Sequence, residues 1–362
     1  MYDQIREDTL FIMLYAVVTA TAMLASCYLL LRRGNAFAPD ITPPARLRRW
    51  TAAFFVAFAV NHIWYLPIFF LSSSEDIMMI DLIGGVLDCL TLFPIAIIVL
   101  FIMLQDRRRP LWPAFAMMAP IIVVAICSAA TRSYVLLPMV YVYTLLMCVG
   151  LIIYMVRALR QYGRWLRENF ADLEHKEVWQ SFIVLAIIML VFAIYAFTSE
   201  GPVFQYTMQV IVLLLICFLL WRVETLSDLS IPEVAPKTVE DNDFSLSIRN
   251  NIGPLLKQHC EEPQLYLQHD ISLSQLAQII GTNRLYLSQH FSSQGTTYNA
   301  YINGLRIQHF ISLYREATAS HQLITAQQLA HQSGFRSYNT FSVAFKKIMG
   351  TTATEWMRNV AV

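Results

Sequence analysis

Between residues 9 and 222 the chain is occupied by long apolar runs, at about 9–31, 50–71, 77–104, 111–130, 133–156, 178–198 and 202–222. A helix needs roughly 20 apolar residues to cross a bilayer, and in lipid a helix satisfies every backbone polar group internally. Each run has about that length and carries no dense cluster of charge, so the sequence predicts seven transmembrane helices. The composition agrees. The chain is 57% hydrophobic and only 14% charged, which is too apolar for an ordinary soluble globule. Its six cysteines show neither a disulfide framework nor a paired zinc spacing.

Orientation follows from the arginines between the runs. Arg32, Arg33, Arg46, Arg48 and Arg49 follow the first run, Arg107, Arg108 and Arg109 the third, and Arg160, Arg164, Arg167 and Lys176 the fifth. The alternate loops are nearly free of Lys and Arg. Positive loops stay cytoplasmic, which predicts an outside N-terminus and a cytoplasmic C-terminal region. Within the runs, ionisable residues are costly and usually face a bundle interior. His62 and Asp88 fall at similar expected depth, and Asp81 lies two turns from Asp88 on the same face. They predict an outward-opening pocket for a small polar or cationic ligand. The plainer alternative is a His62–Asp88 hydrogen bond that fixes helix packing.

After Arg222 the chain changes character. "ETLSDLSIPEVAPKTVEDND", from Glu224 to Asp243, has two prolines, several acids and no helical stripe, and reads as a linker. The domain division is therefore 1–223 membrane, 224–243 linker and 244–362 a soluble domain. Within the soluble domain, a pair of segments repeat one another: "LAQIIGTNRLYLSQHF" from Leu276 and "LAHQSGFRSYNTFSVAF" from Leu329. Both have Leu-Ala, a glycine four residues after the alanine, and an apolar i, i+4 pair, Leu287 with Phe291 and Phe341 with Phe345. A short helix, a left-handed glycine turn and a second half-buried helix form a helix-turn-helix. Between the copies, "YNAYINGLRIQHFISLY" over 298–314 has the spacing of one amphipathic connecting helix. The expected fold class is all-α: a seven-helix membrane bundle followed by two helix-turn-helix motifs joined by a linker helix.

The second helix of such a motif enters a major groove and meets base edges with its N-terminal residues. Arg336 and Asn339 suit guanine and adenine edges, and Lys346 and Lys347 suit phosphates. Asn283, Arg284, Tyr286, Gln289 and His290 hold comparable positions in the first copy. Arg306, Ser337, Tyr338 and Ser342 complete the candidate DNA contacts. From Leu265 onward seven Lys and Arg stand against three acids, a modest positive balance that favours a polyanion. No phosphate-binding glycine loop, HExxH, zinc-ligand pairing or Gly-x-Ser-x-Gly elbow is present in the sequence, so no enzyme, cofactor or metal is expected.

"GTNRLYLSQHF", "YINGLRIQ" and "SGFRSYNTFSVAFKKIMGTTATEW" resemble the AraC/XylS-type DNA-binding domain over about 100 residues. The resemblance implies that the helices near 283–291 and 336–347 read the grooves of double-stranded DNA. It also implies RNA polymerase as a partner and a bacterial inner-membrane setting for this fusion. Ser292, Ser293, Val343 and Ala353 depart from residues usual in that family, the first three by lacking a cation, and fewer cations mean fewer phosphate contacts. The expected function is a membrane-anchored one-component transcription regulator with the membrane domain as sensor. The bilayer, a small-molecule ligand and a second copy of the chain are its other expected partners. The alternatives are a transporter or scaffold whose tail is a protein adaptor, and a regulator that receives its signal from a membrane partner.

Overall fold

The computed structural model describes residues 8–32, 34–71, 73–131, 135–187, 202–229, 252–320, 322 and 324–360. Its named elements are all helices, and among the described residues the one extended pairing is an isolated bridge between Phe170 and Ser272. The chain divides into two compact units. The first comprises Met1–Arg160 and Val178–Ser230, the second Gln161–Glu177 and Ile231–Val362.

In the first unit, α1 (Thr9–Leu31) begins at Asp8, whose carboxylate accepts the Phe11 amide at 3.2 Å. α2 (Ala45–Trp64) ends in a 3₁₀ turn, Leu66–Phe69, in which Pro67 fixes the backbone and removes a donor. The third run is broken at Thr91 into α3 (Ser74–Leu90) and α4 (Leu92–Met103). Pro94, lacking an N–H, sits just beyond the break. The fourth run is two short helices, α5 (Trp112–Ala116) and α6 (Ala119–Thr131); Pro113 and Pro120 each stand in a first turn, where a proline is tolerated. α7 (Leu137–Asn169) runs 13 residues past the predicted end of the fifth run at 156. Residues 179–187 are helical, while the rest of the sixth run lies outside the described residues. α8 (Pro202–Thr225) forms the seventh. Five stretches are long and apolar enough to cross a membrane: Thr9–Leu31, Ala45–Ile68, Glu75–Met103, Pro138–Asn169 and Gln205–Thr225.

Some of the loop arginines that suggest an orientation are engaged inside this unit. Glu224 is fully buried and takes Arg32 at 2.8 Å and Arg48 at 3.8 Å, and Asp106 takes Arg109 at 2.8 Å. Gln105 bonds the Ser227 carbonyl and the Leu229 amide, at 3.0 and 2.8 Å. The described beginning of the linker, 224–229, is thus packed, with Leu226 and Leu229 buried.

The second unit has two apolar cores on one rod. α9 (Leu273–Ile279) and α10 (Arg284–Ser293) close the first, and α12 (Ala326–Gln332), α13 (Tyr338–Met349) and α14 (Ala353–Val360) close the second. The rod is α11 (Tyr298–Ala319), which gives Tyr298 and Ile302 to the first core and Ile307 and Phe310 to the second. Its 22 residues make it about 33 Å long. Phe310 lies 4.5 Å from Phe341 and 5.6 Å from Phe345, centroid to centroid, so the second core is built on tilted and edge-on aromatics.

Candidate nucleic-acid interface

Both helix pairs are started by the same device. The Ser272 hydroxyl accepts the Gln275 amide at 3.3 Å while the Gln275 side chain accepts the Ser272 amide at 2.8 Å. Thr325 and Gln328 repeat the exchange ahead of α12, at 3.2 and 3.0 Å. These reciprocal caps satisfy donors that a helix start leaves unpaired. Gly281 and Gly334 then turn the chain with φ of +76° and +88°. At Gly334 an added Cβ would stand 2.7 Å from the Leu267 Cα, so the backbone approach itself requires glycine.

Aligned on their buried anchors, Leu287 with Phe341 and Phe291 with Phe345, the two second helices also share a cap position. Asn283 accepts the Tyr286 amide at 2.8 Å, and Ser337 accepts the Thr340 amide at 3.3 Å. Both residues, expected among the DNA contacts, therefore spend a side-chain oxygen on capping their own helix. Arg284 and Gln289 are exposed on α10, as are Asn339, Lys346 and Lys347 on α13. Arg336, just ahead of α13, keeps 33% of its side chain exposed and pairs with Asp270 at 3.4 Å. Tyr286 and Tyr338 pack against the two cores, and His290 and Ser342 are half-buried. Desolvation around the Arg284 guanidinium pulls its pKa below the ordinary arginine value, and the nearby Glu168 carboxylate opposes that shift. Burial likewise holds His290 below the usual histidine range, and its Nε2 accepts from Gln294 at 3.1 Å.

Two residues left out of the expected DNA contacts stand on the same faces. Leu285 is 62% and Val343 66% exposed. In the shared register Leu285 matches Asn339 and Gln289 matches Val343. Each helix thus presents one apolar side chain and one amide at the same two positions, in opposite order. Apolar groups in a major groove meet thymine methyls, and amides meet adenine edges. The signal available in the sequence was position: both residues fall off the buried i, i+4 stripe.

Arg306 requires a correction. Expected among the DNA contacts, it is fully buried in α11. Its Nε donates to the Tyr266 carbonyl at 2.7 Å, and Nη2 donates to the carbonyls of Gln268 and His269 at 2.7 and 3.3 Å. The guanidinium lies over the Phe335 ring, 5.6 Å from its centroid. It joins carbonyls beside the first core to an aromatic of the second, and it has no face left for DNA.

The membrane-run residues also sit otherwise than expected. His62 and Asp88 do not pair with each other. The His62 ring is stacked 3.5 Å from Tyr15, and its nitrogens meet Thr19 Oγ1 at 2.6 Å and Gln209 Nε2 at 3.3 Å. Asp88 instead accepts from Asn61 at 2.8 Å and Tyr65 at 3.0 Å. Asp81 is exposed.

Comparison with known proteins bears on the C-terminal unit. Residues 276–359 match the family model described as a helix-turn-helix domain. Over 76 residues, 21% of this chain, the sequence is 36% identical to the TCP pilus virulence regulatory protein of Vibrio cholerae serotype O1. Over 122 residues, 33% of the chain, it is 30% identical to an uncharacterized HTH-type transcriptional regulator of Staphylococcus aureus. The chain spans 26% and 15% of those two relatives' own lengths. No solved structure matches it. The C-terminal segment therefore carries a helix-turn-helix domain. Its motifs resemble those of the AraC/XylS type.

Proposed function

We propose that this chain is a membrane-anchored transcription regulator that binds promoter DNA through α10 and α13, with the apolar unit as anchor and sensor. The observation that carries the reading is the pair of N-capped helices, each exposing one amide and one apolar side chain in a common register on a single connecting rod. The rod's length of about 33 Å is close to one DNA turn, about 34 Å, which suits the reading of two successive major grooves. Arg336 and Asn339 read base edges in the second groove and Gln289 in the first, while Leu285 and Val343 meet thymine methyls. Arg284, Lys346 and Lys347 hold phosphates.

The anchor is a bundle of seven spans with an outside N-terminus. Five helices of sufficient length and apolarity support this reading, together with the arginine pattern of the loops. The sensing groups are His62 with its Tyr15–Thr19–Gln209 neighbours and Asp88 with Asn61 and Tyr65, two separate polar sites rather than one. The test is selection of duplexes from a random pool by the full chain in lipid nanodiscs, with Arg336→Ala/Asn339→Ala as control. Enrichment of two short motifs about one turn apart, lost in the control, is the expected result. Sequence-blind binding, or none, makes the C-terminal unit a protein adaptor.

A further inference from the structure

Residues 161–177, which the sequence assigns to a solvated loop between the fifth and sixth runs, belong to the same compact unit as the DNA-binding helices. Their attachment is specific. Ala171 is a member of the first core, and Phe170 forms an antiparallel bridge with Ser272, the cap of α9. Asn299 on the connecting rod donates to the carbonyls of Phe170 and Ala171 at 3.2 and 2.6 Å, and Asn303 donates to Ala171 at 3.2 Å. The Tyr162 hydroxyl closes the segment on itself by donating to the Lys176 carbonyl at 2.9 Å.

This attachment brings an acidic side chain to a reader helix. The Glu174 carboxylate accepts from the Thr340 hydroxyl at 3.3 Å, in the first turn of α13. Glu168 is exposed on the same segment, and its charge opposes the desolvation that lowers the Arg284 pKa at the start of α10. Lys176 meets Asp270 at 3.6 Å, and Asp270 holds Arg336 at 3.4 Å. Helix N-termini and the arginines beside them are where DNA phosphates and base edges go. The Glu174 carboxylate, held at the start of α13, presents the same charge as a phosphate.

We infer that residues 168–176 form an intrachain latch whose Glu174 carboxylate occupies the DNA-facing end of α13 and must be displaced when DNA binds. This rests on the DNA-binding reading above and adds its regulation. The latch continues the backbone of α7, whose last turns belong to the same unit. Release then amounts to a choice between two states, one favoured by the Glu174 carboxylate and one by DNA.

The test uses the full chain in nanodiscs and a 30-base-pair duplex of random sequence at low salt. Glu168→Gln/Glu174→Gln keeps shape and removes the two charges. Glu316→Gln/Glu355→Gln makes the same change in net charge on α11 and α14, outside the first turns of the reader helices. The latch variant is expected to bind roughly fivefold or more tightly than wild type, with the control variant close to wild type. Amide hydrogen exchange over Phe170–Glu174 is expected to quicken in the wild type when duplex is added. Equal tightening in both variants, no tightening, or unchanged exchange over that segment would overturn the latch while leaving DNA binding intact. If wild type and both variants all fail to bind duplex, the DNA-binding reading fails and the latch with it.

Discussion

The two helix pairs of the C-terminal unit share a plan and differ in how they are held. Both begin with a reciprocal Ser/Thr–Gln cap, turn at a left-handed glycine and bury an i, i+4 pair. The first is backed by a core that borrows Ala171 from far upstream in the chain, the second by an aromatic cluster of Phe310, Phe335, Phe341 and Phe345. The second turn is also crowded against Leu267, where the first is open. Closely similar local signals thus produce one pair whose core includes a distant segment and one whose core is drawn from residues 307 onward. Arg306 reaches residues of both sides, through carbonyls at 266, 268 and 269 and the Phe335 ring.

The largest effect should come from breaking that tie. Arg306→Ala leaves buried carbonyls without a donor and opens a cavity, and is expected to cost about 3–5 kcal/mol. Thermal unfolding should show the second core melting apart from the first. A single transition at the wild-type temperature would remove Arg306 from this role. Next come the two glycines. Gly334→Ala must displace backbone at Leu267 and is expected to lower stability by several kcal/mol, whereas Gly281→Ala carries only the left-handed penalty of about 1 kcal/mol. Chemical denaturation of the two variants compares them, and equal costs would mean that the turns are not differently constrained.

A smaller and different asymmetry is electrostatic. Lys346→Ala/Lys347→Ala should weaken duplex binding for every sequence alike and make the slope of log K against log salt shallower by about 1.8, as two lost phosphate contacts require. Gln289→Ala, on the other pair, should leave the slope unchanged and relax sequence preference. The smallest expected effect is on pH. Burial depresses His290, next to the first core, and His309 on the rod. The unfolded chain therefore takes up protons first as pH falls through about 6.5. Stability of the unit should be full above that value and decline below it, and His290→Gln should flatten some of the decline. A stability that rises on acidification would contradict the burial of these rings.

Much of this arrangement was legible in the sequence where the signal was local. The glycine turns and buried anchor pairs follow from spacing, because each involves residues within one or two turns of each other. Arg306 was misplaced because its charge outweighed its position. It lies four residues from both Ile302 and Phe310, on the stripe that the rod buries, and that spacing was the available warning. The His62–Asp88 pair failed for a related reason. Equal depth in two helices says nothing about which faces meet, and the rings of Tyr15 and Phe58 are what stand against His62. The attachment of residues 161–177 could not be read at all, since Asn299 and Asn303 bond its backbone carbonyls, which every sequence has.

The central claim is that one membrane-held chain reads two successive grooves. Hydroxyl-radical footprinting of a selected duplex, bound by the full chain in nanodiscs, tests it most directly. The account predicts two protected tracts about one helical turn apart on one face of the DNA, with Arg336→Ala/Asn339→Ala erasing the one contacted by α13. A single protected tract that both Gln289→Ala and the α13 variant abolish together would contradict it.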